Sequence, residues 1–437
     1  MTNVTRREIG LGLGASLAGT SAASTFAIAQ GVGKVVIIGG GPGGATVAHQ
    51  LKLGEPKLDV TLIEVSKVYT TCFFSNLYLG GFRSYASLQH NYDGLKRLGV
   101  KVVHALATDV DTAARIVKAG KNSYAYDRLV VAPGIDIKYE SIPGYSKEAS
   151  ALFPHAYDTF GPGKQALMSA LSAMPDGGVF AMVMPNNPYR CPPGPYERAC
   201  MIAHFLKTRK PKSKLIIFDA KKTISKQSVF EEAFAEYYKD IVELNLTNEI
   251  DDYAVSRVDA AMGDVFTKAG RKERAAVANI IPAQKAGTIA AAAGCVDGDW
   301  CPVNPENFTS TKVKDVYVLG DAAIAADMPK SAFTAASQAG AVAADISADL
   351  AQRPRSPGKY RNTCWSMIAP GNSAKIGADY VPATKDGKAF LEASGSFVSK
   401  PGETAEQRRE TFDESAGWYE AFVADMFAKP AETAGKP

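Results

Sequence analysis

The stretch that decides the fold is Val35-Val36-Ile37-Ile38-Gly39-Gly40-Gly41-Pro42-Gly43-Gly44. Its four apolar residues predict a buried strand, and the run 45–53 after the glycines is compatible with a helix. Gly39, Gly41 and Gly44 fill the positions of a G-x-G-x-x-G pattern. The first permits a tight turn, the second lets the backbone approach a pyrophosphate, and the third lets the helix pack close to the strand. The pattern predicts a dinucleotide-binding unit whose helix N-terminus faces the phosphates.

An acidic residue and a cysteine follow this fingerprint. Glu64 ends a second strand, 60–63, at the interval where a carboxylate accepts hydrogen bonds from both ribose hydroxyls of an adenosine half. Cys72 then lies where a thiol would be near the isoalloxazine ring of a bound flavin. The alternative for Cys72 is a buried free thiol. Further along, the segment 88–98 is predicted to form a helix that leads to a strand over residues 101–104.

Two later motifs agree with a flavin. The strand-like segment 126–134 ends in Ala132-Pro133-Gly134, which resembles the exit from the first domain of flavoproteins with two dinucleotide domains. The segment 311–321 reads as a turn and a strand that deliver Asp321 to the mouth of the sheet, where its carboxylate can accept from ribityl hydroxyls. The helix-like run 331–350 would point its positive end toward the flavin pyrimidine. The order of these motifs along the chain predicts FAD as the cofactor.

A second strand-helix unit lacks its own fingerprint. The strand 179–184 runs into the segment 185–195, where five prolines and several bulky side chains replace the glycines that would admit a pyrophosphate. Reduced nicotinamide is therefore not expected as the electron source. We expect an α/β fold with two Rossmann-like, glutathione reductase-like domains and a C-terminal α+β interface domain. The predicted boundaries are 30–145 with 280–354 for the FAD domain, 146–279 for the second domain and 355–437 for the interface domain.

The N-terminus predicts export. Arg6 and Arg7 open a small-residue, weakly apolar region that closes with Ala27-Ile28-Ala29, as in a twin-arginine signal peptide over residues 1–29. The glycine- and serine-broken run 9–28 argues against an uncleaved membrane anchor. A periplasmic protein that begins near Gln30 is the expectation.

Composition excludes several functions. The net charge of +4 on 437 residues is too small to indicate nucleic-acid binding. The five histidines show neither metal-site spacing nor a nucleophile-elbow neighbour, so we predict no metal site. No cysteine lies in a C-x-x-C-H motif, so this chain is not expected to attach a c-type haem itself.

Over almost the whole predicted mature chain, the sequence resembles the flavoprotein subunit of flavocytochrome c sulfide dehydrogenase, including its sulfur-oxidation-cluster homologues. The segments that carry the resemblance are Tyr69-Thr70-Thr71-Cys72, Arg190-Cys191-Pro192-Pro193-Gly194-Pro195-Tyr196-Glu197-Arg198-Ala199, Trp300-Cys301-Pro302-Val303, Met328-Pro329-Lys330-Ser331 and Asn362-Thr363-Cys364-Trp365-Ser366.

The resemblance assigns roles to several residues. It implies that Cys72 holds FAD through a thioether to the 8α carbon and that Lys330 belongs to the cofactor-binding residues. It implies a redox-active disulfide between Cys191 and Cys364, with Glu197 close to it. It also implies that electrons pass from sulfide to haem c on a cytochrome subunit, with which the chain would form a heterodimer.

The chemistry of these residues agrees with such roles. A disulfide accepts attack by hydrosulfide, giving a persulfide on one sulfur and a thiolate on the other, and a carboxylate such as Glu197 can manage the proton. A flavin takes two electrons together and releases them singly, as a haem acceptor requires. The alternative for Cys191 and Cys364 is an inert structural bridge. Cys200, Cys295 and Cys301 remain, and a Cys295–Cys301 pair beside a buried Cys200 thiol is one open arrangement.

Two other functions stay open at this point. One is a quinone-reducing sulfide oxidase, and the other is an auxiliary flavoprotein that binds and reactivates sulfur-carrier proteins of a thiosulfate-oxidising system. Membrane attachment would favour the first. The C-terminal segment 418–427 places Trp418, Phe422 and Met426 on one helical face but carries no basic residue before Lys429, a poor profile for an anionic membrane surface. We expect this helix to pack onto its own domain, with no stable membrane insertion.

Overall fold

The computed structural model describes residues 33–158, 160–245, 250–325 and 328–429. The predicted signal peptide, with its cleavage site after Ala29, lies outside the described residues. These described residues belong to one compact unit that contains three main sheets.

The first sheet is parallel and is built around the fingerprint strand. Its strands, in spatial order, are Val316–Val318, Arg128–Val131, Lys34–Ile38, Asp59–Ile63 and Lys101–Val103. Apolar runs such as 35–38 are buried, as expected where helices cover a parallel sheet. The helices Pro42–Gly54 and Ala332–Leu350 pack against each other beside this sheet. Ser331 caps the second of them by accepting a hydrogen bond from the Thr334 amide.

The second sheet repeats the parallel strand-helix architecture. Its strands, in spatial order, are Val242–Leu244, Lys214–Phe218, Val179–Val183 and Val277–Ile280. Its helices are Gly163–Ala173, Gly194–Arg209 and Gln227–Tyr237. The proline-rich segment connects the strand Val179–Val183 to the helix Gly194–Arg209, so the second Rossmann-like unit is present without a G-x-G-x-x-G pattern at its turn.

The third sheet is antiparallel and consists of Tyr360–Ala369, Asn372–Lys385 and Lys388–Val398. The helix Ala405–Met426 follows and begins at a capping box between Thr404 and Gln407. This helix packs on the strand Asn372–Lys385 and on the helix Pro42–Gly54. The predicted fold class, two Rossmann-like units and a C-terminal α+β region, is confirmed. No helix within the described ranges is both long and apolar enough to cross a membrane.

Smaller elements complete the fold. The remaining helices are Ser75–Leu79, Asp93–Arg97, Ala149–Leu152 and Ile289–Ala292, with 3-10 turns at Ala86–Leu88, Tyr139–Ser141, Ile250–Asp252 and Gly320–Ala322. Two antiparallel three-stranded sheets comprise Ala107–Asp111, Ile116–Ala119 and Asn122–Ala125, and Val255–Asp259, Asp264–Thr267 and Lys272–Arg274. Strand pairs form between Val68–Thr70 and Gln89–Asn91, between Ile135–Ile137 and Gln284–Ala286, and between Cys301–Pro302 and Ala323–Ile324.

The helix expected over residues 88–98 is wrong in extent. Only Asp93–Arg97 is helical, and Gln89–Asn91 instead pairs with Val68–Thr70. Leu88, His90 and Tyr92 are buried at every second position, which is the period of a strand. The predicted domain boundaries stay a prediction, although the chain leaves the first sheet after Arg128–Val131 and leaves the second after Val277–Ile280.

Candidate functional site

A cavity of about 630 Å³ lies at the carboxyl ends of the first sheet and is lined by Gly39 and Gly41 of the fingerprint. Gly39 has a φ of +100°, and a Cβ there would lie 2.3 Å from the carbonyl oxygen of Ala132. A Cβ on Gly44 would lie 1.9 Å from the carbonyl oxygen of Gly39. Gly39 therefore serves the turn and Gly44 the close approach of helix to strand, as the fingerprint predicts.

Gly44→Ala should strip the protein of flavin. Relieving the overlap with Gly39 must move the helix or the strand, and such overpacking costs roughly 1–3 kcal/mol, which would weaken flavin binding about 5- to 150-fold. Gly54→Ala is the matched control, because a Cβ at Gly54 meets nothing within 4 Å. The measurement is the ratio of flavin to protein absorbance after purification. Equal flavin content in both variants would contradict this account of Gly44.

Two acidic residues line the cavity and differ in how their carboxylates are hydrogen-bonded. Glu64 is buried, and its carboxylate accepts hydrogen bonds from the amides of Gly40 at 2.7 Å and Ser66 at 2.9 Å. Asp321 has a buried Oδ1 with no hydrogen-bond partner in the described structure. Leaving such an atom unpaired costs about 1–3 kcal/mol. Burial raises the pKa of both carboxyl groups. The unpaired oxygen of Asp321 on a cavity wall fits a ligand that carries hydroxyl groups, such as the ribityl chain of FAD.

Lys330 lies next to Asp321. Its ammonium group donates to the carbonyl oxygens of Asp321 at 2.9 Å and Ala323 at 2.6 Å and lies 3.7 Å from the ring centre of Trp300. Burial lowers its pKa to about 8. Lys330 does not line the large cavity, so a direct contact with the cofactor stays a prediction. Its carbonyl oxygen accepts the Cys191 amide at 2.7 Å, which ties this segment to the cysteine loop.

Cys72 stands on the wall of the large cavity. It also lines a smaller cavity of about 60 Å³ that extends toward Cys191 and Glu197. Arg190 lines both cavities, and its side chain donates to the carbonyl oxygen of Tyr157 at 2.5 Å. Of the six cysteines, Cys72 alone borders the large cavity, as the predicted thioether requires.

Cys191, Cys364 and Glu197 meet at a third cavity of about 70 Å³. Cys191 lies just before the helix Gly194–Arg209 with a left-handed φ of 58°, and a Cβ on Gly194 would come 2.8 Å from its sulfur. Cys364 comes from the strand Tyr360–Ala369 of the third sheet. Burial raises the pKa of both thiols. All six cysteines are thiols in this structure, so the disulfide stays a prediction.

Glu197 lies in the first turn of the helix Gly194–Arg209. Its carboxylate accepts from the Asn76 side chain at 2.7 Å and from the Met367 amide at 2.9 Å. Burial raises its pKa, and the hydrogen bonds from Asn76 and Met367 oppose that shift. The carboxylate is therefore held in place between the second and third sheets, with a pKa moved toward the range useful for proton transfer.

Aromatic side chains wall this third cavity. Trp418 packs against three other aromatic side chains, with ring-centre distances of 5.0 Å to Trp365, 5.8 Å to Phe333 and 4.8 Å to Phe422. Trp365, Trp418 and Phe333 line the cavity together with Phe73 and Phe74. An apolar wall of this kind excludes water from the sulfur atoms.

The sequence reasoning missed Lys226. The side chain is buried, and its ammonium group donates to the Cys364 carbonyl oxygen at 3.2 Å and to the Ser366 hydroxyl at 2.7 Å. A single lysine among polar residues carries no periodic or motif signal. No motif marks Arg190 as a residue of the large cavity, although its side chain lines it.

The other three cysteines do not line the third cavity. Cys200 is buried within the helix Gly194–Arg209, and Cys295 and Cys301 are both fully buried and interact electrostatically. Their pairing stays open. Among the described residues, no group of three or more histidine, cysteine or acidic side chains is arranged to hold a metal ion.

A glycine-lined dinucleotide cavity connected to a cysteine-bearing cavity defines a class, the flavin-dependent oxidoreductases with two dinucleotide domains. Residues 33–169 match the pyridine nucleotide-disulphide oxidoreductase family model. Residues 164–282 match the central model of the sulfide dehydrogenase [flavocytochrome c] flavoprotein chain, and residues 356–427 match the flavin-binding model of flavocytochrome c sulphide dehydrogenase. The chain belongs to the family of flavocytochrome c sulfide dehydrogenase flavoproteins.

Individual relatives agree with this family. The flavoprotein chain of sulfide dehydrogenase from Chlorobaculum thiosulfatiphilum is 46% identical over 46 residues, 10% of this chain and 96% of that sequence. Mouse mitochondrial sulfide:quinone oxidoreductase is 23% identical over 302 residues, which span 66% of this chain and 65% of the mouse protein.

Solved structures share the fold. Sulfide:quinone oxidoreductase from Aquifex aeolicus superimposes with a TM-score of 0.68 at 18% identity, over 91% of this chain and 93% of that one. An NAD-dependent persulfide reductase from A. fulgidus superimposes with a TM-score of 0.63 at 16% identity, over 87% and 77%.

Proposed function

We propose that this chain is the FAD subunit of a periplasmic sulfide dehydrogenase that oxidises sulfide to sulfur or polysulfide and passes the electrons to a c-type cytochrome subunit. The observation that carries the proposal is the meeting of Cys191, Cys364 and Glu197 at one aromatic-walled cavity. This cavity shares Ser331 and Ala332 with the large cavity on which Cys72 stands.

Sulfide would react at the cysteine pair. In the oxidised protein, hydrosulfide attacks one sulfur of a Cys191–Cys364 disulfide, which forms a persulfide there and releases a thiolate on the other cysteine. The apolar walls formed by Trp365, Trp418 and Phe333 keep water from the persulfide. They also suit a neutral, polarisable sulfur product better than a hydrated anion.

Glu197 would take part in proton transfer. Its carboxylate borders both the cavity of the cysteine pair and the smaller cavity that reaches Cys72. A carboxyl group with a raised pKa accepts the proton of a bound hydrosulfide more readily than an exposed one. Asn76 and Met367 hold the carboxylate in position for this role.

FAD would be held by the residues around the large cavity. The fingerprint glycines would receive its pyrophosphate, Glu64 and Asp321 would accept from its sugar and ribityl hydroxyls, and Cys72 would hold it through the thioether. When bound, FAD accepts an electron pair and releases electrons singly to a one-electron acceptor.

A cytochrome is the proposed acceptor because the family models describe flavocytochrome c proteins. The likeness to sulfide:quinone oxidoreductases raises quinone as the alternative acceptor. The test compares sulfide-driven reduction of cytochrome c with that of a soluble quinone analogue by the same purified protein. Reduction of cytochrome c supports the proposal. Reduction of quinone alone, with sedimentation of the protein with membranes, would establish the quinone enzyme instead.

Neither NADH nor NADPH should reduce the flavin at a useful rate. The turn after Val179–Val183 offers prolines where a pyrophosphate needs glycines and amide donors. The measurement is flavin absorbance after anaerobic mixing with each nucleotide, with sulfide as the positive control. Rapid bleaching by either nucleotide would contradict the expectation.

A further inference from the structure

A buried lysine lies beside the cysteine pair and has no role in the steps above. Lys226 has 4% of its surface exposed and directly precedes the helix Gln227–Tyr237. Its backbone is left-handed, with a φ of 57°. A non-glycine residue persists in this conformation only where the surrounding structure holds it, and such residues cluster at functional sites. Cys191, with a φ of 58°, shares this conformation in the same region.

The ammonium group of Lys226 is satisfied by neutral oxygens. It donates to the Cys364 carbonyl oxygen at 3.2 Å, the Ser366 hydroxyl at 2.7 Å and the Ala374 carbonyl oxygen at 3.4 Å. Burial lowers its pKa to about 8. Buried charges in proteins are usually paired, and Lys221 shows the ordinary case, with its ammonium group 2.7 Å from the Asp219 carboxylate. Lys226 therefore has the hydrogen bonds that a cation needs, but none of the described residues gives it a hydrogen-bonded anion.

Four groups favour the charged form of Lys226 through electrostatic interaction with its ammonium group. In decreasing order of strength they are Cys364, Glu197, Cys191 and Cys200. They come from three separate places: the third sheet, the helix Gly194–Arg209 and the loop before it. Three of the four are the residues that border the third cavity. The missing anion of Lys226 is thus a thiolate in this cavity, or the neighbouring Glu197 carboxylate.

The two cysteines are not equivalent toward this cation. For Cys364, Lys226 is the largest influence that lowers the thiol pKa, followed by Asn362 and Ser331, while burial and Glu197 raise it. For Cys191, burial, Cys364, Glu197 and Cys72 all raise the thiol pKa, and the lowering by Lys226 is the smallest of these influences. A negative charge on sulfur is therefore better stabilised at Cys364 than at Cys191.

We propose that Lys226 is the positioning residue that stabilises the thiolate formed on Cys364 when the Cys191–Cys364 bond opens. The inference rests on the disulfide of the proposed function. In this step the sulfur of hydrosulfide bonds to the Cys191 sulfur, the bond between the two cysteines breaks, and its electron pair becomes the Cys364 thiolate. The disulfide itself is the two-electron oxidant, and the hydrogen is carried on the new persulfide, from which Glu197 takes it as a proton. The direction of opening then follows from the cation: the persulfide forms on Cys191.

The test titrates the cysteines of the reduced protein without using sulfide. Rates of reaction with methyl methanethiosulfonate are measured against pH, and mass spectrometry of the peptides assigns each rate to Cys364 or Cys191. Removing a neighbouring cation raises a thiol pKa, so Lys226→Met should move the Cys364 midpoint up by at least about one pH unit and slow its reaction near neutrality about tenfold. Lys226→Arg should keep the wild-type midpoint.

Two further variants separate charge from packing. Lys226→Gln keeps a donor but loses the charge, so it should behave as Lys226→Met does. Lys221→Met makes the same substitution at a partly buried lysine paired with Asp219 and should leave both cysteines unchanged. An unshifted Cys364 midpoint in folded Lys226→Met or Lys226→Gln, or an equal shift in Lys221→Met, would overturn the proposal.

This outcome is independent of the proposed function. If the midpoint shifts but the wild-type protein does not oxidise sulfide, the role of Lys226 stands and the proposed function fails. If sulfide is oxidised but the midpoint stays in place, the proposed function stands and the role of Lys226 fails.

Discussion

Replacing Cys364 with serine should lower sulfide-driven reduction of cytochrome c by roughly three orders of magnitude or more, because a residue that forms the covalent intermediate cannot be replaced by its neighbours. Serine is close in size to cysteine but cannot form the electrophilic disulfide. Flavin content should stay near the wild-type value, since Cys364 lines the third cavity and not the large one. The measurement is steady-state turnover together with the thermal midpoint of unfolding.

Cys191→Ser should lose as much turnover as Cys364→Ser, and the double variant should lose little more, because the two sulfurs act as one unit. Cys295→Ser is the matched control, since its sulfur lies near the Ala293 carbonyl oxygen, which a serine hydroxyl can also use. Near-normal turnover in Cys364→Ser with a markedly lowered thermal midpoint would show that any bridge is structural. Sulfide would then have to react without the cysteine pair.

Cys72→Ser should convert covalently held flavin into flavin that acid releases. The wild-type protein, precipitated with acid, should keep its yellow colour in the pellet, and a tryptic peptide spanning Cys72 should carry the mass of the flavin. In Cys72→Ser the colour should move to the supernatant, because a hydroxyl is a far weaker nucleophile than a thiolate toward the 8α carbon.

The variant should still bind flavin, because the glycines of the fingerprint, Glu64 and Asp321 remain in the large cavity. Cys200→Ala is the control for loss of a buried thiol elsewhere, and it should keep the colour in the pellet. Flavin that is wholly acid-released from fully loaded wild-type protein would refute the thioether.

Most of the fold could be predicted from local patterns. The fingerprint works because Gly39 has a positive φ and because a Cβ on Gly44 would overlap the carbonyl oxygen of Gly39, five residues earlier, so the local sequence carries both constraints. The helix expected from residue 331 begins at Ala332, with Ser331 as its cap. The failure at residues 88–98 has a non-local cause. Gln89–Asn91 is held as a strand by Val68–Thr70, and the burial of Leu88, His90 and Tyr92 depends on that pairing.

The residues of the candidate site also divide into those that the sequence identifies and one that only the folded structure identifies. Cys72, Cys191, Glu197 and Cys364 could be identified by resemblance, and the structure places Cys72 on one cavity and the other three on the next. Lys226 could not be identified. It is 138 positions from Cys364 in sequence, and its role arises only where two sheets bring it to that backbone. The feature that identifies Lys226 is a buried ammonium group hydrogen-bonded only to neutral oxygens of the described residues, and this feature exists only in the folded chain.

Anaerobic stopped-flow mixing of the purified protein with sulfide, in the presence and absence of cytochrome c, tests the central claim most directly. Without cytochrome, sulfide should bleach the visible absorbance of the flavin in a single rapid phase and leave it bleached. With cytochrome, haem reduction should follow flavin bleaching, and the flavin should return to its oxidised spectrum once sulfide is consumed. A flavin that sulfide leaves unbleached would contradict the account, and so would a bleached flavin that reduces a quinone analogue but not cytochrome c.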